Sequence, residues 1–176
     1  MASTFQLGLS KPSTRVYHVH LLTHQEEALF GELLGENMRL NPSGQIAADE
    51  WRLIATTHQR DIEFDQWTII PNGVRALVAV VDNAQPATYG LCQSPPKPRA
   101  LSSLVAGFKA AAAKRINLVR GLPGAPVWQR GYKEQQINDR KTLERIRLML
   151  SSQAHSAGLI RDDGEYDVSQ VGHRVE

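Results

Sequence analysis

The sequence feature that most constrains the fold is a pair of strand-forming segments separated by a tight turn. Residues 63–70 read EFDQWTII, residues 74–81 read VRALVAVV, and Pro71-Asn72-Gly73 lies between them. β-Branched and aromatic residues favour strands, and the Pro-Asn-Gly sequence favours a sharp reversal of the chain. Because only antiparallel strands can be joined by so short a turn, this segment predicts a β-hairpin within an antiparallel sheet.

Further strands and helices are predicted on both sides of the hairpin. Alternating apolar residues predict a strand at 15–23, and residues 127–137 look like an irregular or extended return of the chain. The remaining predicted elements are short strands at 29–34 and 38–40 and helices at 45–58, at 100–119 and from Asp139 to about 152. This order of elements is typical of an α+β domain built on an antiparallel sheet.

The segments that flank these elements are polar and lack periodicity. We therefore expect one domain over 15–160, a flexible N-terminus over 1–14 and a flexible acidic tail over 161–176. Recurrent prolines predict a loop over 83–99. The lone Cys92 excludes an internal disulfide and a cysteine-built metal site, and no apolar run approaches the roughly 20 residues of a membrane-spanning helix. These observations favour a cytoplasmic protein with no membrane partner.

The net charge of +2 hides an uneven distribution along the chain. Residues 94–147 carry 12 Lys and Arg against 3 Asp and Glu, whereas residues 1–93 carry 6 against 10 and residues 148–176 carry 2 against 5. A basic block between acidic flanks indicates a polyanionic partner, because clustered positive charge attracts one even when the total charge is small.

Five stretches with a shared resemblance occur in one order along the chain: MRLNPSGQIAADEW, IEFDQWTIIPNGVRALVAV, LVAGFKAAAAKRIN, GAPVWQRGYKE and LERIRLML. Together they resemble, over about residues 15–160, the REP-associated tyrosine transposases, which are relatives of the single-tyrosine transposases with a His-hydrophobic-His motif. The resemblance implies a ferredoxin-like antiparallel sheet covered by helices, which binds hairpin or single-stranded DNA. In active members it also implies a divalent metal held by the two histidines, and a tyrosine on the last helix that attacks a phosphodiester.

The chain departs from this pattern at the catalytic positions. The family reads Met-Pro-Asn-His-hydrophobic-His where this chain reads IPNGVR at 70–75, so Gly73 and Arg75 replace both metal ligands. The permanent charge of Arg75 would repel a divalent ion. Met149 stands at the position of the nucleophilic tyrosine, and Gln153, one turn on, matches the polar assisting position. Since methionine cannot attack phosphorus, the resemblance predicts an inactive transposase homologue with no metal and no cofactor.

Two other groups of residues have both a chemical and a plainer interpretation. His18-Val19-His20 places two imidazoles on one face of the first predicted strand, which leaves a displaced metal site as an alternative. A polar sheet face is favoured, because the sequence places no third histidine or carboxylate beside them. Tyr132 is an alternative nucleophile, but packing or base stacking is favoured, since the family often carries an aromatic residue there without using it covalently.

By the resemblance, the basic block frames the DNA side of the fold. The predicted nucleic-acid contacts are Arg75, Lys109, Lys114, Arg115, Arg130 and, through stacking, Tyr132. Arg75 is the sharpest prediction, because a guanidinium near the lost metal position would hold a phosphate in place of the ion. The first predicted function is thus the binding of structured or single-stranded DNA, or of RNA, without cleavage.

The alternative function is an assembly subunit of a larger protein complex that reuses the transposase fold as a scaffold. It is favoured by changes in the segment after Gly131, where Lys133, Gln135 and Gln136 replace residue types common in the family. Residual nuclease activity ranks third. The nucleic-acid target, the pathway and the oligomeric state stay open at the level of the sequence.

Overall fold

The computed structural model of the chain describes residues 14–57, 61–81 and 98–159. Apart from one or two residues at their edges, the following predicted segments lie outside the described residues: the N-terminus 1–14, the loop 83–99 and the acidic tail 161–176. Within the described ranges, no helix is both long and apolar enough to cross a membrane.

The described residues form strands and helices in the following order: β1 (Thr14–Leu22), β2 (Gly31–Leu34), β3 (Asn37–Leu40), α1 (Pro42–Thr56), β4 (Ile62–Ile70), β5 (Gly73–Val81), α2 (Arg99–Arg120), β6 (Lys133–Ile137) and α3 (Arg140–Ser156). A short 3₁₀ helix, His24–Glu26, follows β1. The predicted hairpin is present as β4 and β5, and Ile70 pairs with Gly73 across the turn.

Three predicted elements differ from the structure at a boundary by three residues or more. The last helix ends at Ser156 rather than at about residue 152. The first helix begins at Pro42 rather than at residue 45, because the Asn41 side chain accepts a hydrogen bond from the Gly44 N–H at 3.0 Å and proline occupies the first turn. Of the predicted extended return over 127–137, only Lys133–Ile137 forms a strand, while Trp128 makes a single bridge to Thr23.

The main sheet is antiparallel throughout and has the strand order β4-β5-β1-β6. The strands β2 and β3 form a separate hairpin, inserted between β1 and α1. Without this hairpin and α3, the chain order is strand-helix-strand-strand-helix-strand, which with this sheet order defines a ferredoxin-like fold. The predicted α+β class and ferredoxin-like sheet are therefore confirmed.

Helices cover both faces of the sheet, and each face has its own core. On the side of α1 and α2 the core is built around the fully buried Trp51, whose ring centroid lies 5.0 Å from that of Phe108 and 6.4 Å from that of Trp67. The core under α3 is smaller and consists of Val16, Leu77, Ala79, Ile137, Leu143, Ile146 and Leu150. We refer to these two sides as the α1/α2 face and the α3 face.

Helix α3 is fixed by a cap and by an ion pair. The Asp139 side chain accepts a hydrogen bond from the Thr142 N–H at 2.8 Å, as its predicted capping role requires. Farther along the helix, Arg147 Nε lies 2.5 Å from Asp65 Oδ2 on β4. Together these contacts hold the helix over one part of the sheet and leave another part of the same face to polar residues.

Candidate functional site

A row of polar residues crosses the four strands on the α3 face. The register pairs Thr68 on β4 with Arg75 on β5, and Arg75 with His20 on β1. It also pairs His20 with Lys133 on β6. Directly opposed residues of antiparallel strands point to the same face, so these four side chains lie side by side. We call Thr68, Arg75, His20 and Lys133 the polar row.

The position of the row on the α3 face follows from the alternation of the strands. Val16, Leu77 and Ile137 belong to the core under α3, and they lie an even number of residues from His20, Arg75 and Lys133, respectively. Because side chains two residues apart on a strand share a face, each strand passes from the apolar core to the polar row along its length.

His18 lies next to the row on the same face of β1. The Nε2 atoms of His18 and His20 are 3.0 Å apart, and their rings meet edge to face with centroids 4.3 Å apart. Burial, together with the positive charges of His20 and Arg75, lowers the pKa of His18 to about 4. Burial also lowers the pKa of His20, assisted by Arg75 and Lys133. At pH 7 the positive charge of the row therefore comes from Arg75 and Lys133.

Arg75 is half-buried and has unused hydrogen-bonding capacity. Its Nε is buried and has no hydrogen-bond partner among the described residues. Its guanidinium forms no ion pair with a described Asp or Glu. A half-buried guanidinium without a carboxylate partner is suited to an external anion, which supplies both a counter-charge and hydrogen-bond acceptors.

Arg75 also lines a cleft of about 320 Å³, which we call the α3 cleft. The cleft lies between the β2–β3 hairpin, the turn from β4 to β5 and the C-terminal end of α3. Its lining residues are Leu33, Glu36, Met38, Ile69, Ile70, Pro71, Asn72, Arg75, Gln153 and Ser156. The Oε1 atom of Gln153 is buried and has no hydrogen-bond partner among the described residues. Arg75 and Gln153, far apart in sequence, thus meet at one cleft.

Gly73 and Met149 stand at the other two catalytic positions of the transposase pattern, and both pack closely against neighbouring parts of the chain. Gly73 is buried, and a Cβ atom added there would lie 2.2 Å from the backbone oxygen of Leu21 on β1. A histidine at this position therefore does not fit the backbone. Met149 is partly buried against the core under α3.

The described residues do not suit the divalent metal that the transposase resemblance implies. They contain no group of three or more His, Cys, Asp and Glu side chains that could hold an ion. The two converging imidazoles of His18 and His20 are the nearest approach to such a site, and the positive charge of Arg75 acts on both of them. That charge opposes a cation at the same place.

A second and smaller cleft, of about 160 Å³, lies at the β6 end of the polar row, and we call it the edge cleft. It is lined by His20, Leu22 and residues 129–133. Arg130 is exposed there, and the Tyr132 hydroxyl lies 3.2 Å from the Ser102 hydroxyl on α2. Burial raises the pKa of Tyr132 to about 12, so its phenol is protonated at neutral pH and is a poor nucleophile.

Lys109, on α2, holds the segment that carries Arg130 and Tyr132. Its Nζ donates to the backbone oxygen of Gln129 at 2.8 Å and to that of Gly131, and it lies 5.9 Å from the ring centroid of Trp128. The Trp128 indole in turn donates to the Lys109 backbone oxygen at 3.1 Å. Lys109 therefore has backbone partners within the protein, and its contact with the edge cleft is indirect.

The other two predicted basic residues on α2 lie away from the row. Lys114 and Arg115 are exposed on α2, which packs on the α1/α2 face. Arg115 Nη1 lies 2.6 Å from the largely buried Glu50 Oε1 on α1 and thus joins the two helices. The predicted contact residues therefore separate into one set near the polar row, Arg75, Arg130 and Tyr132, and one set on α2, Lys109, Lys114 and Arg115.

The site residues that sequence reasoning missed include Thr68 and Lys133 of the polar row and Asn72 of the α3 cleft. Lys133 joins the row only through the pairing of β6 with β1, which the sequence does not specify. Its even spacing from the apolar Ile137 is a signal that it faces the same side of the sheet. Asn72 was assigned to the hairpin turn alone, and the cleft beside that turn forms only once α3 is in place.

No family model matches the chain, but individual known proteins are similar to it. An uncharacterized protein of Haemophilus influenzae is 25% identical over 141 residues, which cover 74% of each chain. Among solved structures, the chain is similar to a REP-associated tyrosine transposase bound to a REP hairpin, with 13% identity and a TM-score of 0.44 over 99% of both chains. Neither similarity assigns a function, so the functional interpretation depends on the residues of this chain.

Proposed function

We propose that this chain is a catalytically inactive, transposase-like domain that binds hairpin or single-stranded nucleic acid without cutting it. The observation that carries the proposal is the polar row, in which the register of three strands brings Arg75, His20 and Lys133 together. The described residues leave the Arg75 Nε without a hydrogen-bond partner. A phosphate supplies both an acceptor and a counter-charge.

The spacing of the row suits a chain of phosphates better than a single anion. Arg75 and Lys133 lie on strands separated by β1, and two strand spacings amount to about 10 Å. One residue therefore contacts one phosphate, and the other residue contacts a phosphate farther along the strand. Arg130 and the partly buried Tyr132 line the edge cleft and extend the same path, and we assign Tyr132 to stacking on a base.

The residues at the catalytic positions of the family, together with Tyr132, support the proposal that the chain is catalytically inactive. The Tyr132 phenol has a raised pKa, and the family nucleophile position holds the packed Met149. Gly73 leaves no space for the first metal histidine, and Arg75 occupies the position of the second. We infer that the positive charge of a metal ion has been replaced by that of an arginine, which binds a phosphate but does not activate a nucleophile.

A salt titration of binding tests the proposal. Fluorescence anisotropy with labelled hairpin, single-stranded and duplex DNA, between about 50 and 200 mM salt, should show a salt-dependent preference for the first two. Arg75→Ala should weaken binding about tenfold, and Arg75→Ala and Lys133→Ala should each reduce the salt slope by about 0.7, the value for one lost phosphate contact on a single strand. The matched control is Lys141→Ala, an exposed lysine at the start of α3, which should leave both quantities unchanged.

Two results would contradict the proposal. Unchanged affinity in both Arg75→Ala and Lys133→Ala would remove the polar row from the interface. A covalent protein–DNA adduct on denaturing electrophoresis, after incubation with hairpin DNA and Mn²⁺, would show that the chain retains nucleophilic chemistry.

The second candidate function, an assembly subunit, is favoured by one observation at the end of α2. Leu118 is 82% exposed, Val119 is 59% exposed and Leu122 is 48% exposed, so adjacent apolar side chains face solvent there. On this alternative, no nucleic acid binds at low salt and the chain co-purifies with a protein complex. Leu118→Glu should then abolish the complex, whereas Arg75→Ala should have no effect.

A further inference from the structure

The α3 cleft combines a charged end, hydrogen-bonding groups and apolar walls. Only the charged end belongs to the polar row, so the hydrogen-bonding groups and the apolar walls need a separate explanation. Its volume of about 320 Å³ lies at the lower end of the range for small-ligand sites. Leu33, Met38 and Pro71 supply apolar wall, and Asn72 and Gln153 supply amides. A phosphate alone needs neither the amides nor the apolar surface, so the cleft suits a larger ligand than the phosphate that Arg75 is proposed to hold.

Two polar side chains that line the cleft indicate what that ligand must offer. Arg75 carries a guanidinium that forms no ion pair with a described Asp or Glu, and Gln153 carries an amide. A ligand that carries an anionic group next to hydrogen-bonding groups suits both side chains. Because Arg75 and Gln153 are far apart in the sequence, they come together only in the folded chain.

The apolar wall indicates the shape of the ligand. Leu33 lies on the β2–β3 hairpin, is 61% exposed and lines the cleft. Met38 on the same hairpin and Pro71 on the β4–β5 turn add apolar surface around the cleft. A planar ring that enters between these groups buries Leu33 and gains van der Waals contact on its faces.

The charges within the cleft give the ligand an orientation. Glu36, at the tip of the hairpin, carries a negative charge that repels a phosphate, whereas Arg75, on the sheet, attracts one. The anionic group therefore lies at the sheet, and the planar group, with its hydrogen-bonding groups, lies toward the hairpin and the end of α3. An anion joined to a planar ring with hydrogen-bonding groups is the chemistry of a nucleotide.

We propose that the α3 cleft holds one unpaired nucleobase of the bound nucleic acid, with its phosphate on Arg75 and its base edge on Gln153. This inference rests on the proposed function, since Arg75 belongs to both the polar row and the cleft. A strand whose phosphates follow the row toward Lys133 places the base at its Arg75 end in the α3 cleft. The cleft thereby supplies a preference for an unpaired base, which backbone contacts alone do not provide.

The test compares a hairpin that has a single-stranded extension with the same oligonucleotide made abasic in that extension. The intact oligonucleotide should bind roughly tenfold more tightly, because stacking and edge contacts of one base are lost in the abasic one. Gln153→Leu and Leu33→Ala should each weaken binding of the intact oligonucleotide by about fivefold or more. With the abasic oligonucleotide, the effect of either substitution should shrink to less than about twofold, since no base is left to contact.

Matched controls separate a role in base recognition from general damage. Gln45→Leu, on the exposed side of α1, and Leu118→Ala, on α2, repeat the two chemical changes away from the cleft and should leave both affinities unchanged. Lys133→Ala should weaken binding of the intact and abasic oligonucleotides by the same factor and reduce the salt slope for both.

The outcomes distinguish this inference from the proposed function. If no oligonucleotide binds at low salt, the proposed function fails and the cleft inference fails with it. If binding depends on Arg75 and Lys133, but Gln153→Leu acts equally on the intact and abasic oligonucleotides, the cleft inference alone is wrong. Free 5′-mononucleotides could instead bind as tightly as the intact oligonucleotide, with no effect of Lys133→Ala on their binding. The ligand of the cleft would then be a free nucleotide, and the inference that the base belongs to a nucleic acid would be wrong.

Discussion

The two faces of the sheet differ in what covers them. On the α1/α2 face, large aromatic side chains fill the space between two helices and the sheet, with Trp51 and Phe108 both fully buried. On the α3 face, one helix covers a small aliphatic core, and the sheet then continues into His18, His20 and Arg75. This contrast indicates that the α1/α2 face supplies most of the stability of the fold. The α3 face can therefore hold polar groups that packing does not require.

The largest expected effect comes from the α1/α2 face. Trp51→Ala should lower the free energy of unfolding by about 3 to 5 kcal/mol, because it leaves a cavity where the indole contacts Phe108, Phe64 and Trp67. Urea denaturation measures the change. Leu148→Ala, at a leucine on α3 that is 74% exposed, should change stability by less than about 0.5 kcal/mol. A small loss in Trp51→Ala would show that the two faces contribute alike.

A steric contact on the α3 face gives the next effect. Gly73→Ala should cost about 3 kcal/mol, because the added methyl group would lie 2.2 Å from the Leu21 backbone oxygen, which cannot rotate away as a side chain does. Gly107→Ala on α2 makes the same chemical change where nothing lies within 4 Å, and it should stabilise the protein by about 0.5 to 1 kcal/mol. Thermal denaturation of the pair measures both signs. Equal effects would mean that β1 and β5 separate easily.

The polar part of the α3 face should make stability depend on pH. The pKa of His18 is lowered from 6.5 to about 4 in the folded protein, chiefly by burial, so the unfolded chain binds more protons between these pH values. Stability from His18 is therefore present above about pH 6.5 and is lost as the pH falls toward 4, with a loss of about 2 kcal/mol.

The readout is the difference between wild-type and His18→Gln unfolding curves across this pH range. A difference is needed because burial raises the pKa of Asp65 and so acts in the opposite direction at acidic pH. Parallel curves for the two proteins would place His18 in water and remove it from the buried face.

The smallest effect concerns the start of α3. Asp139→Ala removes the acceptor for the Thr142 N–H and should lower Tm by a few degrees. Because the buried side chains of α3 lie mainly in the core on its own face of the sheet, hydrogen exchange should accelerate in α3 more than in α1 or α2. Arg145→Ala, an exposed substitution on the same helix, should leave Tm unchanged. Uniform acceleration of exchange in all three helices would show that the two faces unfold as one unit.

The sequence predicted the elements of the fold because their signals are local. The Pro71-Asn72 turn, the capping Asp139 and the apolar stripe of α2 each depend on residues within a few positions of one another. Helix α1 starts three residues before its predicted start, because Asn41 caps the helix and Pro42 begins it, and neither residue belongs to the apolar pattern that predicts the helix. The strand β6 was predicted only in part, since as an edge strand it exposes polar residues such as Gln136.

The candidate site was harder to predict because its contacts are nonlocal. The row that joins Arg75 to Lys133 exists only through the register of β1 with two other strands. Likewise, no pattern in α2 shows that Lys109 reaches the backbone oxygen of Gln129 or that Arg115 pairs with Glu50. Residue type identified the charged candidates, and tertiary pairing decides which of them have partners within the protein.

The close contact between Gly73 and β1 makes a change from histidine to glycine at this position easier than the reverse change. Replacing a histidine by glycine removes atoms, and the strand can then move in against the smaller residue. The reverse change meets the backbone of Leu21 at 2.2 Å, so it needs a shift of a whole strand rather than of one side chain. On the proposed function, restoration of the first metal histidine therefore takes more than one substitution, since β1 must move as well.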